Sequence, residues 1–333
     1  HFDELGYRVD ECPYNRQDSL ESNGDLEMLL DVLHSVKDSS GRPACFTINN
    51  NVANPDFDKI KGDDLNAYYY EPFTETLKKY PESDKVMDLY EEGIASQAFK
   101  PQFHGREHLN INRWMNDLQN GDEVVARALE QNMYSVHKSG SFAGRAEYMD
   151  AFGLGYDREF EDYDSIITSG LKLFEKIWGF RSESFIAPCY TWPAEIEKVL
   201  KDQSVDYIQG TYVQRVPDMD YSKGISKKHH YTGQKNNLNQ WYIIRNVFFE
   251  PAEREGADWV GNAMAQIKGA FRFKKPAVIS SHRVNYAGRI HPEIRNRNLV
   301  MLRELLEKIV ETYPSVEFMS TSELGKTIAK KSQ

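Results

Sequence analysis

Pro276-Ala277-Val278-Ile279-Ser280-Ser281-His282 is a short apolar run entered through a proline and left through a histidine. A run of that length between turn signals reads as a buried strand. Ending on polar side chains, it marks the strand edge at which α/β folds gather their sites. The pattern recurs upstream. Ala44-Cys45-Phe46-Thr47-Ile48 stops at Asn49-Asn50-Asn51, and Gln97 to Phe103, with Pro101 inside it, ends at His104. Glu183-Ser184-Phe185-Ile186-Ala187-Pro188 is followed by Cys189-Tyr190-Thr191-Trp192-Pro193, and Asn246 to Pro251 is a further short run.

Helical periodicity separates these runs. Ser19 to Val36 carries Leu20, Leu26, Leu29, Leu30, Val32 and Leu33 at spacings of three and four. Asp84 to Ala95, Ile111 to Gln119, Asp122 to His137 and Ala194 to Asp202 follow the same rule. So does Tyr163 to Trp178, which is closed by Gly179. Asp258 caps a helix to Phe271, Leu299 to Thr312 forms another, and Val316 to Met319 reads as a last strand before a Ser/Thr-initiated helix. Alternation of this kind, about six strands and seven helices, predicts an α/β fold on a largely parallel sheet. The expected organisation is a single domain over residues 1–333. From Gln209 to Arg245 the period fails, and a loop-rich excursion is expected there.

Composition narrows the function classes. The 333 residues contain 40% hydrophobic and 12% aromatic side chains, enough for a packed core and too much for disorder. With 41 Lys+Arg against 51 Asp+Glu the net charge is −10. That balance argues against nucleic acid as a partner, because such binding rests on cationic contacts to phosphate. Neither a membrane span nor a signal peptide is visible. Cys12, Cys45 and Cys189 are odd in number and far apart, which predicts free thiols and favours a cytoplasmic setting.

The sharpest chemical signal is Phe103-His104-Gly105-Arg106-Glu107-His108. Two imidazoles four residues apart can chelate one divalent metal, zinc being the ion that favours neutral imidazole nitrogen. The same string reads H-x-x-E-H, the inverzincin protease pattern in which the intervening glutamate is the base. That reading needs the motif inside a helix, whereas Gly105 and the preceding strand put it on a loop. His282, just past its strand, is placed to act as a general acid. Tyr190 and Trp192 could stack on sugar rings or sit in the core. No base beside Cys189 is identifiable that would make it a nucleophile.

In order and content these pieces resemble the NodB-homology polysaccharide deacetylases, carbohydrate esterase family 4, and within them the WbmS-like group of bacterial surface-polysaccharide loci. His104 and His108 match the family's H-x-x-x-H pair. Phe185-Ile186-Ala187-Pro188-Cys189-Tyr190 resembles its R-x-P-[YW] strand end, with Pro188 kept and Ile186 in place of the arginine. Ile279-Ser280-Ser281-His282 matches the late L-x-x-H, and Asp258-Trp259 the family's Asp-Trp. The family's Asp-Asp strand should precede the helix Ser19 to Val36, yet His1-Phe2-Asp3-Glu4 is a poor match to it, so that first strand is expected to be missing from this chain.

The resemblance implies a distorted (β/α)7-type barrel and a metal-dependent deacetylase. Its substrate would be an acetylated sugar of a bacterial surface polysaccharide or its precursor. It further implies one zinc ion on His104, His108 and an aspartate of the Asp-Asp strand, the other aspartate as base, His282 as the catalytic acid, and Arg106, Arg283 and Asn285 as substrate contacts beside Tyr190 and Trp192. The main alternative is a non-catalytic glycan-binding relative of the same fold, and a more distant one the inverzincin-like protease.

Overall fold

Helices α1 (Pro13–Gln17) and α2 (Asn23–Ser35) precede strands β1 (Phe46–Asn50) and β2 (Ala53–Pro55) in the computed structural model. Residues 13–134, 148–153, 160–217 and 224–331 are described. Next come α3 (Phe57–Gly62), β3 (Tyr70–Pro72), α4 (Phe73–Leu77), α5 (Val86–Ala95) and β4 (Phe99–Phe103). The middle of the chain holds α6 (Ile111–Gln119), α7 (Glu123–Glu130), α8 (Tyr163–Trp178), β5 (Ser184–Ile186) and α9 (Ala194–Asp202). Then follow β6 (Tyr207–Gly210), β7 (Val213–Pro217), β8 (Ile225–His229), β9 (Trp241–Ile244) and β10 (Val247–Phe248). The last elements are α10 (Trp259–Arg272), β11 (Ile279–Ser280), α11 (Pro292–Thr312) and α12 (Thr321–Lys331). The class is mixed α/β, with a central parallel sheet of five strands in the order β1-β4-β5-β6-β9.

Packing divides the chain into two compact units. The first is built on Asn49–Thr76 and Gln102–Tyr242, the second on Pro13–Ile48, Leu77–Pro101 and Ile243–Gln333. In the first unit β5 pairs with β6 over three residues, while β4 meets β5 at Phe103 and Phe185. Side chains extend that seam, Phe103 N donating to the Ser182 hydroxyl (2.9 Å). Buried Gln102 accepts through Oε1 from the backbone N–H of Glu183 (3.0 Å) and Ser184 (2.7 Å) and from the Ser184 hydroxyl (2.9 Å).

Helix α8 starts on Asp162, whose carboxylate accepts from Ser165 N (2.8 Å), and ends on Gly179 at φ 74°. Its Gly170 is required by close approach, because a Cβ there would lie 2.7 Å from Phe103 Cζ and 2.9 Å from Arg106 Cβ. Gly170→Ala is therefore expected to displace the end of β4 and lower stability by about 1–3 kcal/mol, as overpacking does. Chemical denaturation against wild type checks it.

In the second unit α2 opens with a capping box. The Ser22 hydroxyl accepts from Asp25 N (3.3 Å) and the Asp25 carboxylate accepts from Ser22 N (2.8 Å). Leu26, Leu29, Leu30, Val32 and Leu33 are buried, and α2 packs on α5 and α11. Helix α10 packs on α11 and beneath β10, which runs parallel to β11.

Two expectations from sequence are corrected. The described residues of 209–245, expected to be loop-rich, carry regular structure: β7 and β8 form an antiparallel ribbon from Val213↔His229 to Pro217↔Ile225, and β9 joins the central sheet. Val316 to Met319 is not a strand, because Phe318 N donates to the Asp38 carboxylate (2.8 Å) rather than to a neighbouring strand. The helix expected to reach His137 ends at Glu130, and residues 135–137 lie outside the described residues, as do His1 to Glu4. Among the described residues no helix is long and apolar enough to cross a membrane.

Candidate active site

The loop that leaves β4 carries the histidine pair. His104 N donates to Asn50 O (3.0 Å) and its Nδ1 lies 2.8 Å from Ile186 O. A carbonyl oxygen only accepts, so Nδ1 carries the proton and the ring lone pair is on Nε2, the tautomer a metal-ligating histidine uses. The His108 ring stands at 77° to it, with centroids 5.1 Å apart, and both residues are half-buried. Gly105, at φ 115°, lets the chain turn between them where any Cβ would press on Glu107 O at 3.1 Å.

Arg106 and Glu107, the residues between the two imidazoles, point into the protein. Arg106 is 1% exposed, and its guanidinium donates to Glu107 (2.7 Å), bidentately to Glu161 (2.6 Å each) and to Ser169 (2.9 Å), with the Tyr70 ring 4.1 Å away. The substrate contact expected of Arg106 is thereby corrected: its donors are engaged in the interior. The protease reading fails on the same geometry, since the motif lies outside any helix and Glu107 is 2% exposed.

Two carboxylates share this one cation, and the forked bond belongs to Glu161. Burial pushes the Glu107 carboxyl up to about 7, against the opposing pull of Arg106. A carboxyl with a raised folded-state pKa favours the fold while protonated, and that contribution is lost as pH rises through about 7. Wild-type protein is expected to melt at a lower temperature at pH 8 than at pH 6. Glu107→Gln, which is neutral throughout, should flatten that dependence in paired melting curves.

The pair supplies two nitrogen ligands. Among the described residues no group of three or more His, Cys, Asp or Glu side chains is arranged to hold a metal ion. A catalytic zinc site takes three protein ligands, so the described residues do not fit the expected zinc site, and no chemical step is derived through a metal. Elemental analysis after desalting tests the pair: two ligands alone would leave less than one zinc per chain. A full equivalent, lost in His104→Ala/His108→Ala, would contradict the two-ligand reading.

In the second unit a second pair forms where two parallel strands end. Ladder pairing closes with Phe249 N donating to Ser280 O (2.9 Å), so β10 delivers Glu250 and β11 delivers His282 to the same edge. His282 Nδ1 lies 2.7 Å from Glu250 Oε1, and His282 N donates to Oε2 (3.1 Å). Asn285 Nδ2 donates to that same Oε2 (2.7 Å), while its Oδ1 accepts from Ala252 N (2.8 Å). The Glu250 side chain is 5% exposed and the His282 side chain 40%. A buried carboxylate with three donors thus fixes one face of an imidazole whose other face is open to solvent. With the proton on Nδ1, Nε2 is the working nitrogen. The Tyr14 ring meets the imidazole edge-on at 5.7 Å.

Sequence reading missed Glu250, although the signal was present: its strand ends on a carboxylate as its neighbour ends on a histidine. The remaining expected contacts divide. Asn285 is fully buried and orients Glu250, so its expected substrate contact is corrected to a supporting role. Of the two readings left open for Trp192 the core one holds, against the expected substrate contact: it is 1% exposed, donates from Nε1 to Glu197 (3.1 Å) and stacks on His230. Arg283 is half-exposed, but its guanidinium pairs with Asp18 (2.8 Å) and Glu21 (3.4 Å) and fastens the turn after β11 to the segment following α1. Tyr190 is half-buried in a tight turn, Pro188–Tyr190, where it and Cys189 hold φ near +54°. Burial pushes the Cys189 thiol up to about 12, which keeps it from serving as a thiolate nucleophile. Asp258 caps α10 by accepting from Gly261 N (2.8 Å).

No family model matches the chain, and no curated protein matches it. Among solved structures, the chain is similar to a Mycobacterium smegmatis protein assigned as a polysaccharide deacetylase. The identity is 10%, with a TM-score of 0.45 over 92% of this chain and 78% of that one. It is also similar to a 4-alpha-glucanotransferase from Thermococcus litoralis, at 10% identity and a TM-score of 0.43, over 94% of this chain and 36% of that one.

Proposed function

We propose that the chain is a hydrolase that removes acetyl groups from an acetylated sugar of a bacterial surface polysaccharide or its precursor. The observation that carries this reading is the His282–Glu250 pair: an exposed imidazole held by a buried carboxylate at a strand edge. In the reaction, water adds to the acetyl carbonyl, the bond to the sugar nitrogen or oxygen breaks, and acetate leaves. His282 Nε2 takes the proton of the adding water and delivers it to the departing amine or alcohol, and the charge on the ring between the two transfers is balanced by Glu250. The His104–His108 pair, on its own strand end, is consistent with the motif set from which this reading starts.

A second reading, a glycan-binding protein without catalysis, is favoured by one observation: the described residues supply two ligands where a zinc-dependent hydrolase needs three. One assay separates the two. Acetate release from an N-acetylglucosamine hexamer is measured for wild type and for His282→Ala, alongside binding of the same hexamer. Release that falls in the variant by about 10²–10⁴-fold supports the hydrolase. Binding without release from wild type leaves only the binding protein.

A further inference from the structure

His282 transfers protons through Nε2, while Glu250 holds the opposite nitrogen, Nδ1, at 2.7 Å. One bond at one corner lets a ring rock about that bond and sweeps the far corner through an arc. A nitrogen that moves a proton has to stay in line with the atoms it serves, and a displacement of about 1 Å can cost about 10²-fold in rate. A contact on another part of the ring is needed to stop the rocking.

Tyr14 of α1 makes such a contact. Its half-buried ring stands at 84° to the imidazole, with the centroids 5.7 Å apart, the edge-to-face geometry that aromatic pairs favour. A helix of five residues does not hold itself in water, so α1 has to be fastened from outside. Asp18 N donates to Tyr14 O (2.9 Å), which makes Tyr14 and Asp18 the two ends of one turn. The Asp18 carboxylate accepts a fork from Arg283, Nε at 3.1 Å and Nη2 at 2.8 Å. Arg283 Nη1 reaches Glu21 (3.4 Å), whose other oxygen accepts from the Tyr90 hydroxyl of α5 (2.8 Å), and both Glu21 and Tyr90 are buried. Helix α1 also packs on the turn Arg283–Asn285. Arg283 directly follows His282, so the segment that carries the imidazole also carries the clamp on the ring beside it.

We infer that Tyr14 is a positioning residue for His282: its ring is a wall that keeps Nε2 in line, and the Asp18–Arg283 fork keeps the wall in place. The inference rests on the reading of His282 as the proton carrier of a hydrolase, and it adds α1 to that site. The contact is made by the ring, so phenylalanine serves at this position and alanine does not.

The test compares wild type, Tyr14→Ala, Tyr14→Phe and Asp18→Asn in acetate release from the N-acetylglucosamine hexamer and in NMR spectra of the His282 ring nitrogens. A His282→Gln variant identifies the ring signals, and melting curves verify the fold. Expected is a kcat lower by about tenfold in Tyr14→Ala with KM changed by less than about twofold, recovery to within about twofold of wild type in Tyr14→Phe, and an intermediate kcat in Asp18→Asn. The wild-type ring should show one tautomer, protonated on Nδ1. In Tyr14→Ala the signals should broaden toward an average of both tautomers, because a rocking ring leaves Glu250 part of the time. Asp18→Asn should move them the same way, and it decides the matter if Tyr14→Ala does not fold. Unchanged kcat and ring signals in Tyr14→Ala, a rise in KM alone, or a loss in Tyr14→Phe as large as in Tyr14→Ala would overturn the inference. If wild type releases no acetate the hydrolase reading falls, and the ring spectra alone decide the role of Tyr14. If release stands and the ring is indifferent to Tyr14→Ala, the hydrolase reading stays and the inference falls.

Discussion

Glu250→Gln is expected to lower kcat for acetate release by about 10²–10⁴-fold while leaving the fold intact. Glutamine keeps the shape but offers an amide in place of a carboxylate. Its NH2 can meet Nδ1 only as a donor, which moves the ring proton to Nε2, and its neutral group no longer balances an imidazolium. Burial also matters, because the carboxylate is nearly sealed from water and receives the His282 N–H and the Asn285 amide besides the ring. The measurement is kcat across pH for wild type, Glu250→Gln and Glu250→Asp. A positioning role predicts a changed pH profile in Gln and partial recovery in Asp. Equal profiles in all three, with equal kcat, would dismiss the pair as the proton-transfer device.

Arg106→Met is expected to be the most destabilising single change in the first unit, by about 3–5 kcal/mol, because it strands the buried Glu107 carboxylate and unpairs the half-buried Glu161. Glu107 is 2% exposed and Glu161 loses both arms of its fork. The loss should be smaller at pH 5 than at pH 8, since Glu107, already pushed up to about 7, can take a proton when its cation is gone. Denaturation of Arg106→Met and of Arg106→Met/Glu107→Gln at both pH values checks this. The double variant should recover part of the loss at pH 8. If the single variant unfolds at wild-type denaturant, the buried network contributes nothing.

Much of the frame was legible in the sequence because the forces that write it are local. The leucine spacing of α2, the Gly179 end of α8, and strands that stop at His104 and His282 all depend on residues near in sequence. What escaped depends on partners far away. Arg106 and Glu161 are 55 positions apart, and Glu250 and Asn285 are 35 apart, so neither pairing can be read from spacing. Residue type alone does not decide burial: a tryptophan after a strand reads equally as a sugar platform or as core, and Trp192 and Asn285 both belong to the interior. The ribbon was hidden because its strands carry no clean apolar alternation: Gln214 is buried although polar, and Lys227 and Lys228 follow one another in the partner strand.

The Gln102 amide, which completes the seam between β4 and β5, gives that seam an unusual exchange behaviour. The Glu183 and Ser184 amide protons are held by a side chain instead of a neighbouring strand's carbonyl. Their protection from deuterium therefore follows one rotamer, which can swing without unfolding the sheet, whereas the ladder protons between β5 and β6 exchange only when paired strands separate. The seam beside the histidine loop is therefore expected to exchange ahead of the β5–β6 ladder in a deuterium time course.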